Sequence, residues 1–119
     1  ALVALTREPA GAVIYAVTVE VDAAAAGDWQ EWMGAVHIPD VLATGCFTGA
    51  EIARRDDPAA PDGAVVFVIE YRARSAEQLR VYREAHAPAL QQVHGARYGA
   101  TARATRTVRT LLDPPARTE

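Results

Sequence analysis

Apolar and polar positions alternate from Val13 to Val21. Val13, Tyr15, Val17, Val19 and Val21 fall on one face, and Ile14, Ala16, Thr18 and Glu20 on the other, which predicts a strand with one dry side and one mixed side. The period then changes. Trp29, Trp32, Met33 and Val36 stand at i, i+3, i+4 and i+7, the stripe of a helix that packs along one face. Asp22 is placed to cap its start. Pro39 has no N–H and deprives the carbonyl of Ala35 of its helical partner. A last turn through Val41, Leu42 and Ala43 is expected before Gly45 stops the helix. Cys46–Arg55 reads as a second strand, Asp56–Gly63 as a loop by its Asp, Pro and Gly content, and Ala64–Ala73 as an alternating third strand, so that the two strands form a hairpin. Ser75 and Gln78 make a capping box. Leu79, Tyr82, His86, Leu90 and Val93 follow as a second helical stripe, which Gly95 is expected to end. Threonine-rich Thr101–Leu112 is the last strand.

The order β-α-β-β-α-β folds through two right-handed crossovers into a four-stranded antiparallel sheet with both helices on one face. The fold class is α+β, ferredoxin-like. The other face of the sheet would leave Ile14, Ala16, Val66 and Val68 in water. Monomers rarely expose an apolar sheet of that kind, and pairing two sheets face to face buries it, so a homodimer through the open face is expected. Glu20, Glu70 and Arg72 are expected to form salt bridges at that junction. A short echo, His37-Ile38-Pro39 and His86-Ala87-Pro88, falls at comparable points of the two halves.

With 119 residues the chain has room for one domain. The expected limits are a flexible arm over 1–11, the domain over 12–112 and a disordered tail over 113–119. Twelve basic residues, all arginine, against fifteen acidic ones give a net charge of −3, which argues against nucleic acid as a partner. No run reaches the ~18 apolar residues of a membrane span. The single cysteine, Cys46, excludes an internal disulfide and zinc-type thiol spacing, and suits a reducing cytoplasm. No metal motif and no phosphate loop is present, so neither a metal nor a cofactor is expected.

The chemistry-bearing residues are few. His86 lies between Tyr82 and Leu90 in an apolar stripe, where an imidazole without a hydrogen-bond partner loses about 1–3 kcal/mol. It is either a satisfied core group or a pocket-lining acid, base or ligand anchor. His37 sits at the margin of the first stripe, and Asp40 is close enough in sequence to orient it. These three are the candidate catalytic residues, and His94 is read as facing outward. Trp29, Trp32, Met33, Tyr15, Tyr71 and Tyr82 offer either plain core or the flat wall of a site for a ring-shaped ligand. Tyr98 is a candidate for the pocket mouth.

The run Val17–Asp22, then Trp29–Met33, then His37–Thr48 resembles an uncharacterised bacterial domain-of-unknown-function family of the dimeric α+β barrel superfamily. The resemblance extends from about Ile14 to Leu112. It implies a ferredoxin-like protomer and a barrel-forming dimer. The superfamily includes cofactor-free monooxygenases, muconolactone-type isomerases, polyketide cyclases and haem-degrading enzymes, but fold analogy alone assigns no reaction. The leading expectation is a dimeric protein that binds a small hydrophobic or aromatic, polyketide-like molecule, with cofactor-independent isomerase, cyclase or monooxygenase chemistry open to it. The alternatives are a non-catalytic structural or interaction domain and a haem handler with His86 as axial ligand. A cavity of roughly 300 Å³ or more beneath the sheet, lined by both His37 and His86, would mark the first of these.

Overall fold

The computed structural model describes residues 10–113. Most of the expected arm and tail lies outside the described residues. Strand β1 (Val13–Asp22) leads into helix α1 (Ala23–Trp32), a π-helical turn (Met33–His37) and helix α2 (Ile38–Ala43). Strands β2 (Gly49–Arg54) and β3 (Ala64–Ala73) form the hairpin. Helix α3 (Ala76–Val81), a second π-helical turn (Tyr82–His86) and helix α4 (Ala87–Tyr98) return the chain to strand β4 (Ala102–Thr110). The sheet order is β2-β3-β1-β4, with every neighbouring pair antiparallel. This is the ferredoxin-like arrangement that the alternation predicts.

The register sorts the two faces. Val19 pairs with Phe67 and Ala104, Val17 with Ile69 and Arg106, and Tyr15 with Tyr71 and Val108. These residues share the helix side. Trp29, Ile69, Val13, Val21 and Val41 are its most deeply buried side chains. Ser75 caps α3 as expected, its Oγ accepting from the Gln78 N–H at 3.2 Å. Ser75→Ala is expected to lower stability by about 1 kcal/mol, read from the midpoint of urea unfolding. An unchanged midpoint would show that the cap is not holding the helix.

The structure departs from the sequence reading at five places. Asp22 precedes α1 but makes no side-chain cap, because its carboxylate is taken by Arg103 at 2.9 Å. Strand β2 starts at Gly49 rather than Cys46. Gly45, at φ +77°, turns the chain so that Cys46 and Phe47 drop into the core. Gly95 does not end its helix, which continues to Tyr98 and buries that ring at the last turn. The open face is not left in water either. Ile14, Ala16 and Val66 are buried within the protomer. Ile14 is flanked in register by Arg72 and Arg109, and Ala16 by Glu70 and Thr107, and long side chains lay their stems over apolar neighbours. The expected salt bridges of that face also close within one protomer: Glu20 with Arg103, Glu70 with Arg109, and Arg72 with Glu51.

The fifth departure is the pair of π turns, which sit at matching points of the two halves. In each, the amide after the turn reaches back five residues: Ile38 N–H to the Met33 carbonyl, and Ala87 N–H to the Tyr82 carbonyl. A proline opens the following helix each time, Pro39 or Pro88. A proline clashes with the carbonyl four residues earlier and leaves it without a donor. The wider turn absorbs one extra residue and lets the helix continue. Beyond the turn, every side chain is rotated by about one residue, roughly 100°.

Candidate functional site

That rotation decides which groups face the sheet. The expected second stripe ran Leu79, Tyr82, His86, Leu90, Val93. Leu79 and Tyr82 are buried as expected, but past the turn the inward positions are Ala87, Leu90, His94 and Tyr98, while Val93 is 55% exposed. His94 therefore points inward, contrary to the sequence reading. His86 is half-buried beside the Tyr82 ring, with centroids 6.5 Å apart.

A cavity of about 60 Å³ lies between the sheet and the helices. Its floor is Tyr15, Val17 and Val19 of β1 with Ile69 and Tyr71 of β3. Met33 and His37, the first and last residues of one π turn, form one wall, and Tyr82, which begins the other turn, faces them. His94 and Gln91 of α4 and Ala104 and Arg106 of β4 complete it. His86 does not line it. The volume falls short of the roughly 300 Å³ taken as the mark of a preformed ring-sized pocket. It has space for several waters. Gln91, Ala104 and Arg106 are exposed, so the cavity opens as a cleft past two long side chains.

The polar groups around this space are held in defined states. Trp29 is fully buried, and its Nε1–H donates to His94 Nε2 at 2.9 Å. Burial, and then the Arg106 cation, hold the His94 imidazole below its ordinary range. His37 stacks on Trp32 with centroids 5.1 Å apart and lies 5.6 Å from the His94 ring. Burial, then His94, bring its pKa down to about 4, against an opposing pull from Asp40. Both imidazoles are thus neutral at pH 7. Asp40 is exposed and acts on His37 through its charge.

Tyr15, Tyr71 and Tyr82 are 2–4% exposed. No hydrogen bond joins their hydroxyls to another described residue, yet among the described residues no buried side-chain polar atom lacks a partner. Their hydroxyls therefore retain open space, and the space the three share is the cavity. Burial pushes Tyr82 up to about 12 and raises Tyr71 further, so these phenols stay protonated. Tyr98 does not reach the cavity. Its hydroxyl donates to Asp28, and its ring backs Trp32 and His94.

Of the residues expected from the sequence, His37, Met33, Tyr15, Tyr71 and Tyr82 come together at the cavity. Trp29, Trp32 and Tyr98 stand behind it as support. His94, Gln91 and Arg106 were missed. Arg106 was legible, because alternation along β4 puts it with Ala104 and Val108 on the apolar side. His94 required knowledge of the turn ahead of Pro88. Among the described residues no cluster of ligands is fit for a metal ion, and no helix is long and apolar enough to cross a membrane.

A family described as a domain of unknown function, DUF4286, matches residues 12–112. No curated protein matches the chain. Solved structures match over nearly the whole fold. An EthD-family protein from Bacillus halodurans is 11% identical with a TM-score of 0.60, over 82% of this chain and 96% of its own. SnoaB, a cofactor-independent oxygenase from Streptomyces nogalater, is 17% identical with a TM-score of 0.60, over 91% of this chain and 100% of its own. A dimeric ferredoxin-like protein from an uncultured marine organism is 10% identical with a TM-score of 0.52, over 87% and 98% respectively. At these identities the likeness is one of fold.

Proposed function

We propose, from the premise that this chain belongs to the DUF4286 family of domains of unknown function, that it binds a small oxygenated aromatic or polyketide-like molecule in the cleft between sheet and helices and moves a proton on it without a cofactor. The observation that carries this reading is the convergence of a neutral imidazole, His37, and the phenols of Tyr15, Tyr71 and Tyr82 on one space. A neutral imidazole has a lone pair for a proton, and a phenol hydroxyl can orient a substrate oxygen. The ring enters at the open side of the cleft, beside Gln91 and Ala104. The fold accommodates cofactor-free chemistry elsewhere, as the description of SnoaB states for that protein.

The test uses anthrone, a flat ring system with an acidic methylene, under nitrogen in D₂O. The protein is expected to accelerate exchange of the methylene protons. His37→Gln is expected to lower that acceleration by about a hundredfold, the usual reach of a single general base. His86→Leu is expected to leave it unchanged. Exchange at the buffer rate, or an unaltered rate in His37→Gln, would remove His37 as the base. The small closed volume favours the rival reading, a non-catalytic interaction domain, which requires no exchange and no change in tryptophan fluorescence on adding anthrone.

The working unit in this proposal is a homodimer joined through the open sheet face, in a reducing cytoplasm that suits the free, buried Cys46. The likeness to a structure described as dimeric supports it. Light scattering at micromolar concentration should return twice the protomer mass, and a single-protomer mass would refute it.

A further inference from the structure

The two imidazoles of the cavity differ in what they can offer. The Trp29 indole has an N–H and no acceptor. Because it donates to His94 Nε2, that nitrogen must carry a lone pair. A neutral imidazole has one N–H, so the His94 proton sits on Nδ1. His94 is thereby a hydrogen-bond donor to whatever stands at its other nitrogen, and it cannot take a proton at Nε2 without setting two N–H groups against each other.

The remaining polar lining follows the same sense. Tyr71 and Tyr82 carry O–H groups, Gln91 carries an amide, and Arg106 brings a permanent cation. No carboxylate lines the space, in a chain with more acidic than basic residues. The contrast along β4 is sharp. Arg103 and Arg109 project to the open face and are paired there with Glu20, Asp22 and Glu70. Arg106, on the helix side, makes no hydrogen bond or ion pair with the described residues, and its charge falls on His37, His94, Tyr71 and Tyr82.

We infer that the cavity selects an oxyanion, an aromatic enolate, phenolate or carboxylate whose charged oxygen is held by Arg106 and the Nδ1–H of His94, with Trp29 as the positioning residue that keeps His94 donating. The inference rests on the reading of this cavity as a binding site, and it names what that site recognises. The charge-assisted bonds of an anionic oxygen are stronger than those of a neutral one. The space of about 60 Å³ holds a charged oxygen group, and the ring of the ligand lies in the open cleft beside Ala104 and Arg106.

Two measurements test it on the full chain. In the free protein, ¹⁵N spectra of the histidine rings should show His94 protonated on Nδ1 alone, and Trp29→Phe should release it to a mixture rich in the Nε2–H form while the fold is kept. Benzoate and benzamide then differ in charge on the same ring. Benzoate should shift the His94 and His37 ring signals saturably and at least tenfold more tightly than benzamide, and Arg106→Gln, a change at an exposed position, should erase that difference. Equal binding of benzamide would overturn the oxyanion preference and leave the proposed binding site standing. An Nε2–H tautomer in the unaltered protein would overturn the role of Trp29 and His94. If neither compound moved the two histidines, the inference and the binding site would fall together.

Discussion

Trp29→Ala is expected to destabilise the protein by about 3–5 kcal/mol, the range for deleting a fully buried tryptophan side chain. The ring is 0% exposed and lies over Phe67, with centroids 4.7 Å apart. Its removal takes away apolar contact, opens a cavity beside the sheet and leaves His94 Nε2 without its donor. Domains of this size hold about 5–15 kcal/mol in all, so the variant should unfold at a far lower urea concentration or fail to accumulate folded. Trp29→Phe keeps most of the packing and loses the N–H, and should fall by about 1–2 kcal/mol. The two variants separate what the ring contributes by filling space from what it contributes by holding the imidazole. Equal losses would mean that shape hardly matters at this position.

The second large effect is a loss of stability in mild acid. His37 takes its proton at about 4 in the folded protein and at 6.5 when unfolded. Below pH 6.5 the unfolded chain therefore gains protons that the folded one does not, and stability falls as pH drops toward 4. His94, lowered by burial and by Arg106, acts in the same direction. The gap at His37 corresponds to about 3 kcal/mol for a group sealed from water. His37 is part-exposed, and screening reduces this to on the order of 1–2 kcal/mol. The window from pH 6.5 to 5 is the informative one, because most carboxylates titrate below it. Urea midpoints measured across it should slope downward, and His37→Gln should flatten the slope. Parallel slopes in the two proteins would mean that His37 titrates normally.

Much of the fold was legible because strand alternation is a strong signal when one face is dry. Val13 to Val21 and Ala64 to Ala73 stated their faces plainly, and those faces contain two of the three tyrosines of the cavity, Tyr15 and Tyr71. The first wall was legible from helical spacing, since Met33 lies on a stripe read from Trp29 onward and His37 at its margin. The second helix was misread from one point. Pro88 was visible, but a proline in a helix can break it, kink it or be absorbed by a wider turn, and the choice depends on packing that no local pattern records. Here the turn absorbed it, and His94 rather than His86 faces the cavity. Asp22 failed as a cap because a residue remote in sequence, Arg103, competed for its carboxylate.

Strand β4 closes the sheet on one side, and along its outer rim no neighbour among the described residues takes up its backbone amides and carbonyls. Such a rim invites other copies to pile up rung upon rung. Arginines at 103, 106 and 109 place a positive charge at every third rung, pointing alternately up and down. Arg103 and Arg109 are offset by Glu20, Asp22 and Glu70, which leaves Arg106 as the charge that a second rim arriving alongside would meet. The residue that gives the cavity its cation is thus also the charge that guards this border, and exchanging Arg106 for a neutral residue would leave the border easier for another copy to join.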